Sequence, residues 1–158
     1  MQTQSGPEVV EFESTMPWPQ PATDALVVHC SDHRFQAHFD DFLRSGLHLA
    51  TFDRLVIPGG PQFLLAPLPK FEWAGRRWLN FLVKHHGIRQ LILLAHEDCG
   101  WYKDLSVGSI TIPLLKEHQI TDLRKMPAIL RELAPSVSVR LFYARPSRNN
   151  RVEFVEVK

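Results

Sequence analysis

The sequence predicts an α/β fold: a central, mostly parallel sheet in strand order 2-1-3-4, flanked by helices, with a C-terminal antiparallel strand. Two observations carry this. Short, continuously apolar runs alternate with segments of helical periodicity, the pattern of parallel strands buried on both faces. Right-handed crossovers then leave few topologies, and the simplest sets strand one between strands two and three. The chain reverses direction between strands one and three, so their carboxyl ends open a crevice at a switch point.

The elements follow in order. Residues 1–23 hold Pro7, Pro17, Pro19 and Pro21 with little periodicity and read as an N-terminal arm, with Trp18 available for packing. Residues 24–158 read as a single domain. Leu26-Val27-Val28-His29-Cys30 is the first strand. Phe35, Phe39, Phe42 and Leu43 recur at helical spacing, and Gly46 stands where a C-cap glycine belongs. Leu55-Val56-Ile57 is the second strand, stopped by Pro58-Gly59-Gly60-Pro61. Phe71, Ala74, Trp78, Phe81 and Leu82 mark a helix that ends at Gly87. Leu91-Ile92-Leu93-Leu94-Ala95 is the third strand, and His96 to Gly100 the turn after it. From Ile112 to Leu133 the pattern is helical, with Pro113 and Pro127 expected to break it into pieces. Val137–Ala144 and Arg151–Val157 alternate as two strands joined by a turn-rich segment.

Composition narrows the function classes. A chain of 158 residues fits one domain. With 44% hydrophobic and 22% charged residues it is neither disordered nor collagen-like. The net charge of +1 leaves no basic footprint for nucleic acid. The longest strongly apolar run, Leu91–Ala95, falls far short of the ~20 residues that span a bilayer. Met1-Gln2-Thr3-Gln4 lacks the start of a signal peptide, so a cytoplasmic location is expected. Two cysteines are too few for a disulfide framework, and in a reducing compartment paired thiols point to metal or redox chemistry.

The chemistry concentrates at the switch point. Cys30 closes strand one; His96-x-x-Cys99 follows strand three. Two thiolates and one imidazole suit Zn²⁺, and a Cys₂His set is a known arrangement for catalytic zinc. Asp32 is the candidate carboxylate for the fourth position, and Arg34 can hold it by a bidentate contact. A metal-free alternative makes Cys30 a nucleophile with Arg34 as oxyanion partner, but Cys30-x-x-x-Arg34 is too short for a Cys-x₅-Arg loop. Other residues have plainer readings. His33, His38 and His48 read as surface residues, and His85-His86 as cations at a helix end. Glu97 and Asp98 read as turn residues, with Asp98 able to orient His96. Phe71, Trp78 and Phe81 read as core or dimer interface.

The pair of motifs, C-x-D-x-R after the first strand and H-x-x-C-G after the third, resembles the signature of the β-class carbonic anhydrases. Gly59-Gly60 stands where that family has its glycine after the second strand. The resemblance implies zinc held by Cys30, His96 and Cys99, and an Asp32–Arg34 dyad that is catalytic. It implies reversible hydration of CO₂ to bicarbonate by a zinc-bound hydroxide, and a homodimer or dimer-based oligomer. It also implies a closed, inactive state in which the aspartate itself ligates zinc. The chain departs from the family at Ile57-Pro58, where Arg-Asn is usual, at His33, where Ser is common, and at the bulky Trp101-Tyr102. The residues before Asp24 leave no room for the usual long N-terminal helices. Such a pocket admits two other readings: the same zinc site acting on CS₂ or COS, or a zinc-binding protein without catalysis.

Overall fold

Among the described residues five strands form one sheet in the order β2-β1-β3-β4-β5. They are β1 (Ala25–His29), β2 (Asp53–Val56), β3 (Gln90–His96), β4 (Ser138–Pro146) and β5 (Val152–Glu156). A computed structural model of the chain describes residues 9–18, 21–65, 69–105 and 111–158, with the side chains of 69–72 outside the description. β1, β2, β3 and β4 are mutually parallel, and β5 returns antiparallel on β4. This is the expected order.

Alternation along the strands sends side chains to two apolar layers. Leu26, Val28, Leu91, Leu93, Leu141 and Tyr143 face one layer, with Leu79, Leu123, Met126 and Leu130 packed over them. Those four come from α2 (Pro69–His86) and α4 (Ile112–Leu133). Val27, Ile92, Leu94, Phe142 and Ala144 face the other layer under Phe35, Phe39 and Leu43. The covering element there is α1 (His33–Asp41), continued by one wide turn over Phe42–Gly46. β1 and β3 are buried on both faces, which is why they read as unbroken apolar runs.

Two expectations are corrected. α4 is one helix of 22 residues rather than several pieces. Pro113 sits in its first turn, where no intrahelical donor is needed, and Pro127 is carried inside because Leu115, Leu123, Met126 and Leu130 anchor both halves to the sheet. Gly46 is no left-handed cap; His48 takes the positive φ of 56° instead. Gly46 is small because a Cβ there would stand 2.8 Å from the Phe42 ring, which stacks on Phe154 at 4.0 Å. Of the aromatic stripe of α2, read as core or dimer interface, Trp78 and Phe81 are 48% and 52% exposed and so lie outside the core of the single chain, where Leu79 faces the sheet instead. Phe71 lies outside the described side chains. Trp18 is 90% exposed.

The loop after β2 brings the fold to the site. Gly59 and Gly60 have φ of 77° and 55°, turning the chain into a short 3₁₀ segment, Gly60–Leu64. A Cβ on Gly60 would meet the Cys30 nitrogen at 2.9 Å and the Leu94 carbonyl oxygen at 3.1 Å. The loop backbone therefore lies directly on the carboxyl ends of β1 and β3. Gly60→Ala combines a left-handed φ, which costs a residue with a Cβ ~1–2 kcal/mol, with a backbone collision. Urea denaturation should show a loss of about 2 kcal/mol or more, most of it in the midpoint. An unchanged midpoint would mean the loop does not seat on the strands as described.

Candidate metal centre

β1 and β3 pair in register from Ala25↔Gln90 to His29↔Leu94, so Cys30 and the β3 terminus reach the same level of the sheet. His96 ends β3, and a tight turn through Asp98 (φ 59°) leads to Cys99 and the short helix α3 (Gly100–Asp104). Cys30, His96 and Cys99 converge. All three are buried, and their ligand atoms lie within 4.8 Å of one another. The two sulfurs are 3.9 Å apart. Both cysteines are free, and this separation is far longer than a disulfide bond.

The donor set fits zinc on three physical counts. Two thiolates bound at ~2.3 Å to one tetrahedral ion stand ~3.8 Å apart, close to the spacing found. The His96 ring is set by a contact of 2.9 Å from Nδ1 to the Glu97 carbonyl. That bond fixes Nδ1 as the protonated nitrogen and leaves Nε2 as a bare lone pair. Among the described residues Nε2 is buried with no hydrogen-bond partner, a costly arrangement unless an ion takes the lone pair. The sulfurs are also prepared for charge. The Asp32 N–H is directed at Cys30, and the N–H groups of Trp101 and Tyr102 at Cys99. A hydrogen bond from Cys99 pulls the Cys30 thiol down, and the same bond together with burial pushes Cys99 up. The pair thus favours one thiolate and one thiol, and a bound cation would displace the remaining proton.

Asp32 and Arg34 stand beside this cluster. Asp32 caps α1, accepting from the Arg34 backbone N–H at 3.0 Å. The Arg34 guanidinium grips the same carboxylate in a fork, with Nη2 to Oδ2 at 2.7 Å and Nε to Oδ1 at 3.1 Å. The guanidinium and the cap hold the Asp32 carboxyl at about 2. All five predicted residues therefore meet at the switch point, two loops contributing to one place.

Other partners escaped the sequence reading. Asp98 does not orient His96; its carboxylate accepts from Arg34 Nη1 at 3.1 Å and pairs with Lys103. Gln36 donates to the carbonyls of Cys30 and Asp32 at 2.9 and 2.7 Å, clasping the loop between β1 and α1. Buried Gln119 of α4 donates to the His96 carbonyl at 2.8 Å. Its signal was a polar residue within the apolar stripe Leu115, Leu123, Met126, Leu130. His29, fully buried against Phe39, has its Nδ1 2.9 Å from the Cys30 carbonyl, and burial lowers its pKa so that the ring stays neutral. The bulky Trp101 is accommodated by Gly59, where a Cβ would overlap its ring, and it donates to Gln62 at 3.0 Å. His33, His38 and His48 are exposed, as expected.

The α/β sheet thus carries at its switch point two thiols and an imidazole that could hold a metal ion. Residues 20–156 match the family model described as "Putative carbonic anhydrase", and the chain belongs to that family. Among solved structures it resembles the carbonic anhydrase of Streptococcus mutans at 19% identity and a TM-score of 0.58, over 92% of this chain and 88% of that one. The carbonic anhydrase of Glaciozyma antarctica gives 17% and 0.56, over 91% and 86%. A tetrameric β-carbonic anhydrase of Sordaria macrospora gives 12% and 0.59, over 86% and 82%. At these identities the likeness establishes the fold. No curated protein sequence matches the chain.

Because Asp32 titrates lower when folded than the ordinary carboxyl value of 3.8, its pairing stabilises the fold above that value. The contribution is lost as pH falls through about 2. The Asp32 carboxyl carbon, followed by NMR, should titrate near this value. In Arg34→Gln its midpoint should rise toward the ordinary value of 3.8. Equal midpoints in the two proteins would contradict the grip described.

Proposed function

We propose that the protein is a zinc lyase that reversibly hydrates CO₂ to bicarbonate. Cys30, His96 and Cys99 would hold the ion, and Asp32 with Arg34 would be the catalytic pair. One observation carries the reading: a buried Cys₂His donor set, its imidazole Nε2 bare, beside a carboxylate kept ionised by arginine. Membership in the family adds support. Three protein donors leave one position of a tetrahedral ion open. When bound, zinc supplies the Lewis acidity that makes water a nucleophile near neutral pH.

The chain's own residues do the rest. Asp32, ionised across the working range, is an acceptor only. It accepts a hydrogen bond from the attacking O–H and so turns a lone pair toward the carbon of CO₂. Arg34 satisfies the other side of that carboxylate and keeps it from turning away. The buried walls formed by Phe35, Tyr102 and Leu115 exclude bulk water from the donor atoms. Two thiolates offset the ion's charge, so hydration should titrate above the ~7 of three-histidine zinc sites.

We infer that the working unit is a homodimer or a dimer-based oligomer. β2 is an exposed sheet edge carrying Val56 at 45% exposure, and unpaired edges invite association. The relative from Sordaria macrospora is tetrameric. Two free cysteines fit a reducing, cytoplasmic setting. Among the described residues no helix is long and apolar enough to cross a membrane.

Purified protein should carry about one zinc per chain and lose it in the double variant Cys30→Ser/Cys99→Ser. Stopped-flow hydration should rise with pH, and Asp32→Asn should lower the rate about a hundredfold with zinc content unchanged. A zinc-replete protein inactive on CO₂ from about pH 6 to 9 would turn the reading toward COS, CS₂ or non-catalytic zinc binding. Full activity in Asp32→Asn would make Asp32 structural only.

A further inference from the structure

We propose that Asp98 is a positioning residue for the dyad: it holds the Arg34 guanidinium in the orientation in which that group grips Asp32. The proposal rests on the catalytic role assigned to Asp32 and Arg34 above. Arg34 projects from the first turn of α1 with a side chain 47% exposed, so packing alone does not fix it. Its donors are nearly all used. Nε and one N–H of Nη2 go to Asp32; the second N–H of Nη2 goes to the Asp98 carbonyl at 3.1 Å, and Nη1 goes to Asp98 Oδ2 at 3.1 Å. Four of the five guanidinium protons are thereby committed, half of them to a single residue 64 positions away in sequence.

The backbone at Asp98 makes this possible. Its φ of 59° lies in the left-handed region, which aspartate tolerates better than most residues. In this conformation the carboxylate and the backbone carbonyl of one residue reach the same guanidinium. Lys103 of α3 takes the other carboxylate oxygen, so Asp98 is itself held between two cations. A chain of contacts, Asp32–Arg34–Asp98–Lys103, ties the N-terminus of α1 to α3.

The placement has a mechanistic consequence. Asp98 lies between His96 and Cys99, so the turn that presents two of the proposed ligands also presents the anchor for the arginine. Asp32 is thereby registered against the ligand cluster through the β3–α3 turn as well as through its own loop. Exposed ion pairs contribute little to stability, so a merely structural pair would leave the dyad's geometry untouched when removed. A positioning pair would not.

The test uses the full-length protein with Asp98→Gly, which keeps the positive φ and removes the carboxylate, and Asp98→Asn, which keeps an acceptor oxygen. The direct readout is nitrogen-15 NMR of the Arg34 guanidinium, assigned by its disappearance in Arg34→Lys. A pinned guanidinium gives separate Nη1 and Nη2 signals; one released from its anchor rotates and averages them. Separate signals are expected in the native protein, averaged ones in Asp98→Gly, and an intermediate state in Asp98→Asn. With zinc content and melting temperature nearly unmoved, kcat for hydration should fall about tenfold in Asp98→Gly and less in Asp98→Asn. Signals that stay separate in Asp98→Gly would overturn the proposal, as would averaged signals with kcat undiminished. If native zinc-loaded protein does not hydrate CO₂, the catalytic reading fails, and the guanidinium spectra alone decide whether Asp98 holds Arg34.

Discussion

The parallel pairing of β1 with β3 is the constraint from which the site follows. Its register, Val27↔Ile92 and His29↔Leu94 among five such pairs, sets the ends of two strands at one height. The pairing holds because every side chain from Ala25 to His29 and from Leu91 to His96 is buried, so a slip by one residue would exchange the two apolar layers. Cys30 continues the alternation of Leu26 and Val28, while His96 continues that of Ile92 and Leu94. The two would face opposite sides of the sheet if the strands ran on. β1 ends at His29, just before Cys30, and β3 ends at His96, and with Cys99 of the following turn the three donor atoms lie within 4.8 Å of one another.

Short, directed contacts to the backbone hold the loops at these strand ends. Gln36 ties two carbonyls of the β1–α1 loop, Gln119 reaches from α4 to the carbonyl of His96, and Gly60 seats a third loop on both strand ends. Each satisfies or accommodates a backbone group that the strand ladder has left behind. The arrangement explains how three donor atoms can be gathered without a regular element to carry all of them. It also separates the apolar frame, which supplies stability, from the polar ties, which supply position.

Much of this was legible in the sequence, and the limits are physical. β1 and β3 were readable because burial on both faces makes a strand uniformly apolar, and Gly87 because its positive φ ends α2 where periodicity stops. Pro127 misled because a helix gripped by the core tolerates one lost hydrogen bond, a tertiary effect that local pattern does not encode. Gly46 misled because close approach to Phe42, not a turn, requires it. At the site, Cys30, Asp32, Arg34, His96 and Cys99 were visible through motif spacing and strand position. The pairing of Asp98 with Arg34 was not, since the two lie 64 positions apart and the contact depends on a left-handed backbone that no spacing rule announces. Gln36 and Gln119 likewise act through distance and direction, which only coordinates supply.

In the proposed site Cys30, His96 and Cys99 form the donor set of one zinc ion. X-ray absorption at the zinc edge of the zinc-loaded protein tests it without reference to activity. Two sulfur scatterers near ~2.3 Å and an imidazole nitrogen near ~2.0–2.1 Å are expected, with one further light atom. A zinc environment of nitrogen and oxygen alone, with no sulfur shell, would contradict it.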